Sequence, residues 1–176
     1  DFIRTIIPVA EENNVKMAIH PDDPPIPLFG VPRIVSTYED YKFILNSYNS
    51  ESNGMTFCSG SLASNIHNDI YKIFNKFKDK VNFIHLRNVK IEQDNKSFYE
   101  SNHLSGDVDF VKLIKMILKE EKRRSRNKKI DIPMRPDHGH ALLDDQRKKT
   151  FNPGYTAIGR LMGLSELRGI IKAVQN

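Results

Sequence analysis

Strand-like and helical segments alternate along this chain, which predicts an α/β fold with a parallel sheet. Two further observations favour a TIM (β/α)8 barrel over a doubly wound sheet. Four apolar runs each end in or near a chemically reactive side chain, as in barrels whose working groups come from the carboxyl ends of several strands. None of these runs is followed by the G-x-G-x-x-G turn that a doubly wound nucleotide binder would want. Four strands are half of eight, so the expectation is half of a barrel, incomplete in this chain, with residues 1–176 as a portion of a single domain.

The elements follow from local pattern. Residues 2–12 read as a short helix, with Pro8 either in its early turns or kinking it, and VKMAIH at 15–20 follows as a strand. PDDPPIPLFGVPR has too many prolines for regular structure; Ser36 and Glu39 then have capping-box spacing, starting a helix near Thr37. MTFCSG at 55–60 is the second strand, and NDIYKIFNKFKD places Ile70, Ile73, Phe74 and Phe77 on one helical face. VNFIHLR at 81–87 is the third strand. The helix from 110 is expected to turn Val111, Ile114, Ile117 and Leu118 inward, and KIDIPMR is the fourth strand. GYTAIGRLMGLSELRGIIKAVQN reads as helical in two pieces, broken around Gly163 and restarted by Ser165 and Glu166.

Composition excludes little. At 39% hydrophobic and 28% charged, the 176 residues match a globular domain with a core. A net charge of +5 admits an anionic substrate or a nucleic acid without selecting either. The single cysteine, Cys58, rules out an internal disulfide and fits a reducing, cytoplasmic setting. No apolar run approaches the roughly 20 residues needed to span a bilayer, so no membrane partner is expected. The first residue is Asp1, and the chain is expected to begin inside a longer protein.

The strand ends carry the chemistry. The first strand ends in His20, the second carries Cys58, the third His85 and Arg87, and the fourth runs into Arg135, Asp137 and His138. Two imidazoles, a thiolate and a carboxylate form a mixed donor set suited to Mn²⁺, Fe²⁺, Co²⁺ or Zn²⁺ rather than Mg²⁺ or Ca²⁺. Singly, each residue fits a structural role, a buried Cys packing as a small hydrophobe and a strand-end His bonding in a loop. Their recurrence at strand ends favours a metal site. His67 and His140 read as loop or solvated residues, and His103 fits either role. Arg135 could orient Asp137 or bind a substrate carboxylate bidentately. Gly139 reads as a sharp turn after the Pro136-restricted approach. The basic run at 119–129 raises nucleic-acid binding as a rival, but it has no interleaved aromatics and suits a helix C-terminus better, so no nucleic acid is expected.

Seven segments, MAIHPDDPP, FGVPRIVST, TFCSGSL, HLRNV, HLSGDVD, PMRPDHGH and NPGYTAIGRLMGLSELRGI, occur in the order of the mannonate dehydratase family, which nearly the whole chain resembles. The resemblance implies a xylose-isomerase-like barrel, of which this chain would be the C-terminal part, and a hydro-lyase of hexuronate catabolism (glucuronate degradation) that converts D-mannonate to 2-keto-3-deoxy-D-gluconate with Mn²⁺ or Fe²⁺. It implies His20, Cys58, His85 and Asp137 as metal ligands, His138 and Tyr155 as the proton-transfer pair, Arg87 as a substrate contact, and a homo-oligomeric full-length protein. The assignment suits the reaction: charge builds on the carboxylate as the C2 proton leaves, so a cation is needed, and an acid and a base serve C3–OH and C2–H. Another metal-dependent sugar isomerase or epimerase of this barrel type is the alternative. With half the barrel absent, the chain alone is not expected to be active.

Overall fold

The computed structural model describes residues 1–150 and 152–175. They pack as two compact units, residues 1–84 and a second beginning at His85. No helix among the described residues is long and apolar enough to cross a membrane.

In the first unit, helix α1 (Phe2–Glu12) keeps Pro8 inside it and buries Ile7 and Ala10. Strand β1 (Met17–Ile19) pairs in parallel with β2 (Asn53–Cys58), Met17 opposite Asn53 and Ile19 opposite Met55. Every residue of β2 is buried, as expected of a parallel strand covered on both faces. Between these strands lies α2 (Tyr38–Asn46), which buries Tyr41, Ile44 and Leu45. Its capping box is Thr37 with Asp40, one residue later than the Ser36 and Glu39 spacing suggested. The shorter Asp40 carboxylate does the work: it accepts from the backbone of Ser36 and Thr37, both at 2.9 Å, while Thr37 Oγ1 accepts from Asp40 N at 3.3 Å. A short helix α3 (Ser59–Ala63) leaves β2 directly, and α4 (Ile70–Phe77) buries Ile70, Ile73, Phe74 and Phe77, the face its periodicity required. Phe74 meets Phe57 of β2 edge-on at 5.2 Å, which holds helix to sheet. Strand β3 (Val81–Leu86) follows, next to β2 in the sheet, and its last two residues open the second unit.

The second unit departs from simple alternation. Strands β4 (Asn88–Ile91) and β5 (Phe98–Ser101) form an antiparallel hairpin with Asn88 opposite Ser101, which the reading of alternating strands and helices did not anticipate. Asn88 is buried and serves as its clasp, donating to the carbonyls of His103 (2.7 Å) and Val108 (3.1 Å) and accepting from Val108 N (2.9 Å). Helix α5 (Phe110–Arg126) is capped by Asp109. Its buried face is Phe110, Leu113, Ile114, Ile117, Glu120 and Arg124, so the apolar stripe is anchored on Phe110, while Val111 is exposed and Leu118 only partly covered. Glu120 pairs with Arg124 at 3.0 Å and Arg123 at 2.7 Å, which commits two cations of the basic run to a fold-holding ion pair.

Strand β6 (Met134–Pro136), the sheet neighbour of β3, is shorter than KIDIPMR suggested. Pro133 has no N–H to give the ladder and restricts Ile132 before it, so the strand begins beyond it. Helix α6 (Ala157–Val174) is continuous through Gly163, contrary to the expected break. A glycine costs a helix only about 1 kcal/mol, and here it makes room: a Cβ at Gly163 would stand 2.5 Å from the His103 ring. The expected helical reading of the final residue, Asn176, lies outside the described residues.

Candidate active site

In the first unit two potential ligands leave neighbouring parallel strands at the same end. His20 directly follows β1 and Cys58 closes β2, with a ring nitrogen of one within 4.8 Å of the sulfur of the other. His20 Nδ1 lies 2.6 Å from the carbonyl of Pro21. A carbonyl only accepts, so Nδ1 carries the proton and the ring's lone pair is on Nε2, the tautomer-fixing contact commonly seen in metal-binding histidines. Cys58 is fully buried, and its sulfur accepts from Ser61 Oγ at 3.0 Å, which fixes the side chain at the strand end. Burial pushes the nearby Tyr41 hydroxyl well above its ordinary value, with the charges of Cys58 and Asp22 adding to the shift.

In the second unit β3 delivers His85 and then Arg87, β5 delivers Glu100, and the segment after β6 delivers Asp137 and His138. His85 Nδ1 stands 3.4 Å from Asp137 Oδ2, and both side chains are largely buried. Two donor atoms each about 2.1 Å from a shared ion in tetrahedral geometry stand about 3.4 Å apart, so this pair fits a divalent cation. Arg135 donates to the other Asp137 oxygen at 3.1 Å and orients it, the first of the two roles its sequence position allowed.

His138 is held on both sides. Its Nδ1 lies 2.8 Å from Glu100 Oε2, and its Nε2 lies 3.1 Å from the Tyr155 hydroxyl, with the two rings edge-on at 4.9 Å. The loop that carries Tyr155 is tied back to the histidine segment by Gly139 N to Gly154 O (2.8 Å) and by Thr156 Oγ1 to His140 O (2.6 Å). Gly139 is needed for this closure and not for a sharp turn. Its φ is not positive, but a Cβ there would strike the backbone of Gly159 and Arg160 in the first turn of α6.

Arg87, expected as a substrate contact, is buried with its Nε 2.8 Å from Glu100 Oε2. His103, which the sequence left open, is structural: it is buried, with Nε2 2.7 Å from Leu86 O and its ring edge-on to Phe110 at 5.3 Å. His67 is exposed, and His140 reaches the carbonyl of Glu100 at 3.1 Å. The carboxylate that sequence reasoning did not bring to this cluster is Glu100. Its signal was a polar turn, EQDNKS, between NVKI and FYES, which marks a hairpin.

A family model described as D-mannonate dehydratase (UxuA) matches residues 1–176. The chain belongs to the D-mannonate dehydratase family. It is 49% identical over 174 residues to the mannonate dehydratase of Chromohalobacter salexigens and 50% identical over 177 residues to that of Saccharophagus degradans, in each case over 99% of this chain. Among solved structures, a mannonate dehydratase from Streptococcus suis serotype 2 superposes with a TM-score of 0.85 at 38% identity, covering 98% of this chain and 47% of that one. The chain spans 44% of the length of the two curated dehydratases. The second-unit contacts among Arg87, Glu100, Asp137, His138 and Tyr155 are thus features of a dehydratase-family chain.

Proposed function

We propose that the full-length protein is a cytoplasmic hydro-lyase of hexuronate catabolism, acting as a homo-oligomer that converts D-mannonate to 2-keto-3-deoxy-D-gluconate. The observation that carries this reading is the direct hydrogen bond between His138 and Tyr155, one residue along from Asp137, whose carboxylate meets His85. Two proton-transfer groups beside a ligand pair are what a β-elimination next to a carboxylate needs. Family membership supports D-mannonate as the substrate.

In this reading His20, Cys58, His85 and Asp137 hold one Mn²⁺ or Fe²⁺ ion. When bound, the ion supplies Lewis-acid stabilisation of the charge that develops on the substrate carboxylate. The donor set fits: the thiolate and imidazoles favour a transition ion, and Arg135 fixes the Asp137 oxygens. Arg87 and Arg135 supply cationic character for the substrate's carboxylate. One member of the His138 and Tyr155 pair takes the C2 proton, and the other protonates the C3 hydroxyl as the C3–O bond breaks. Water and a C2–C3 enol result, and the enol takes a proton at C3 to give the 2-keto-3-deoxy acid.

The test is a keto-deoxy acid assay on full-length protein with D-mannonate and Mn²⁺ or Fe²⁺. His138→Asn and Tyr155→Phe are each expected to lower kcat by about 10² to 10⁴ with metal content unchanged. Near-parental turnover in both variants, or an isomer of mannonate as the product, would overturn the reading.

A further inference from the structure

We propose that Glu100 is a positioning residue for His138, fixing which ring nitrogen takes part in proton transfer; this rests on the roles just given to His138 and Tyr155. The hairpin β4–β5 carries none of the four proposed metal ligands and lies outside the alternation of strands and helices, yet it places Glu100 where three groups converge. Glu100 Oε2 takes Arg87 Nε at 2.8 Å and stands 2.8 Å from His138 Nδ1. The carbonyl of the same residue meets His140 Nε2 at 3.1 Å, so the segment after β6 is held against the hairpin at two points.

A carboxylate flanked by a guanidinium is acceptor-only, so the proton of the His138–Glu100 contact resides on Nδ1. That holds for the neutral ring and for the imidazolium alike. All proton exchange is therefore confined to Nε2, which faces the Tyr155 hydroxyl at 3.1 Å. Arg87 does the same for Glu100: its Nε reaches both carboxylate oxygens, at 3.2 and 2.8 Å, and holds the carboxylate plane in place. The relay Arg87, Glu100, His138, Tyr155 orders a ring that two single bonds would otherwise leave free to flip. In Ser-His-Asp triads, an amide that replaces the corresponding carboxylate and turns its NH₂ toward the ring costs turnover through the wrong tautomer.

Two readouts test this. In full-length, metal-loaded protein, Glu100→Ala is expected to lower kcat by about 10²-fold or more while KM moves less than about threefold, with metal content unchanged. In metal-free full-length protein labelled with ¹⁵N-histidine, the His138 resonances should show Nδ1 protonated in the parent and a mixture of tautomers in Glu100→Ala. Glu100→Gln should keep the Nδ1-protonated signature, because Arg87 can be satisfied only by the amide oxygen, and should recover at least about tenfold of the lost turnover. An unchanged His138 tautomer in Glu100→Ala, or turnover within threefold of the parent, overturns the proposal. Should Glu100→Ala not fold, loss of the signature in Glu100→Gln overturns it. A parent that yields no keto-deoxy acid would defeat the proposed reaction, while the resonance measurement would still decide the role of Glu100.

Discussion

Gly163→Ala should destabilise the protein although it replaces a mid-helix glycine with the best helix former. Propensity alone predicts a gain of about 1 kcal/mol. Against it stands the His103 ring, whose Cε1 and Nδ1 would lie 2.5 and 2.9 Å from the new methyl group. The ring cannot swing away cheaply. It is buried, its Nε2 is bonded to Leu86 O at 2.7 Å, it meets Phe110 edge-on, and its backbone N–H is held by Glu166 at 3.0 Å. Overpacking costs about 1–3 kcal/mol and a broken buried hydrogen bond about 1–3 more, so the net loss is about 1 kcal/mol if the ring only slides and up to about 5 if the Leu86 bond is lost. Gly169→Ala is the internal control in the same helix: nothing lies within 4 Å of its Cβ position and the residue is exposed, so it should stabilise by about 0.5–1 kcal/mol. Thermal unfolding of both variants of the full-length protein should place them on opposite sides of the parent. A Gly163→Ala protein at least as stable as the parent would refute the steric argument.

Cys58→Ser should sharply reduce Mn²⁺ or Fe²⁺ content in the folded full-length protein, measured by elemental analysis, since a serine hydroxyl is a far poorer ligand than a thiolate. Glu120→Leu should cost about 3–5 kcal/mol in urea unfolding, because it leaves the buried Arg124 guanidinium without its partner. Burial raises the Glu120 carboxyl, but the hydrogen bonds and charges of Arg123 and Arg124 together hold it below its ordinary value. Its stabilisation is therefore present above the ordinary carboxylate range and lost as pH falls through the depressed value, so Glu120→Gln should flatten the acid side of the stability profile. Asp145 behaves in the same direction: burial opposes its charge, while the N–H groups of Ile158 and Gly159, the Thr156 hydroxyl and Lys148 outweigh it. Asp145→Asn should likewise reduce the loss of stability on acidification, read by unfolding between neutral and acid pH.

What was legible in the sequence depended on short-range pattern. The helical face of Ile70, Ile73, Phe74 and Phe77, the parallel strands ending in His20 and Cys58, and the segment that carries Asp137 and His138 all follow from spacing and residue type, because periodicity and strand termini are local properties. The family was legible for a related reason: ordered motifs are local strings. Other features needed the fold. Whether Thr37 or Ser36 caps α2, and whether the α5 stripe is anchored on Phe110 or Val111, turns on one-residue shifts that propensity does not resolve. The need for glycine at position 163 of the continuous α6 comes from a ring on a residue 60 positions earlier, and Gly139 is small because α6 passes against it. Glu100 is the clearest case. An acidic residue on a four-residue strand has no signature of its own, and its meaning comes from Arg87 and His138, 13 and 38 residues away, which only long-range packing brings to one carboxylate.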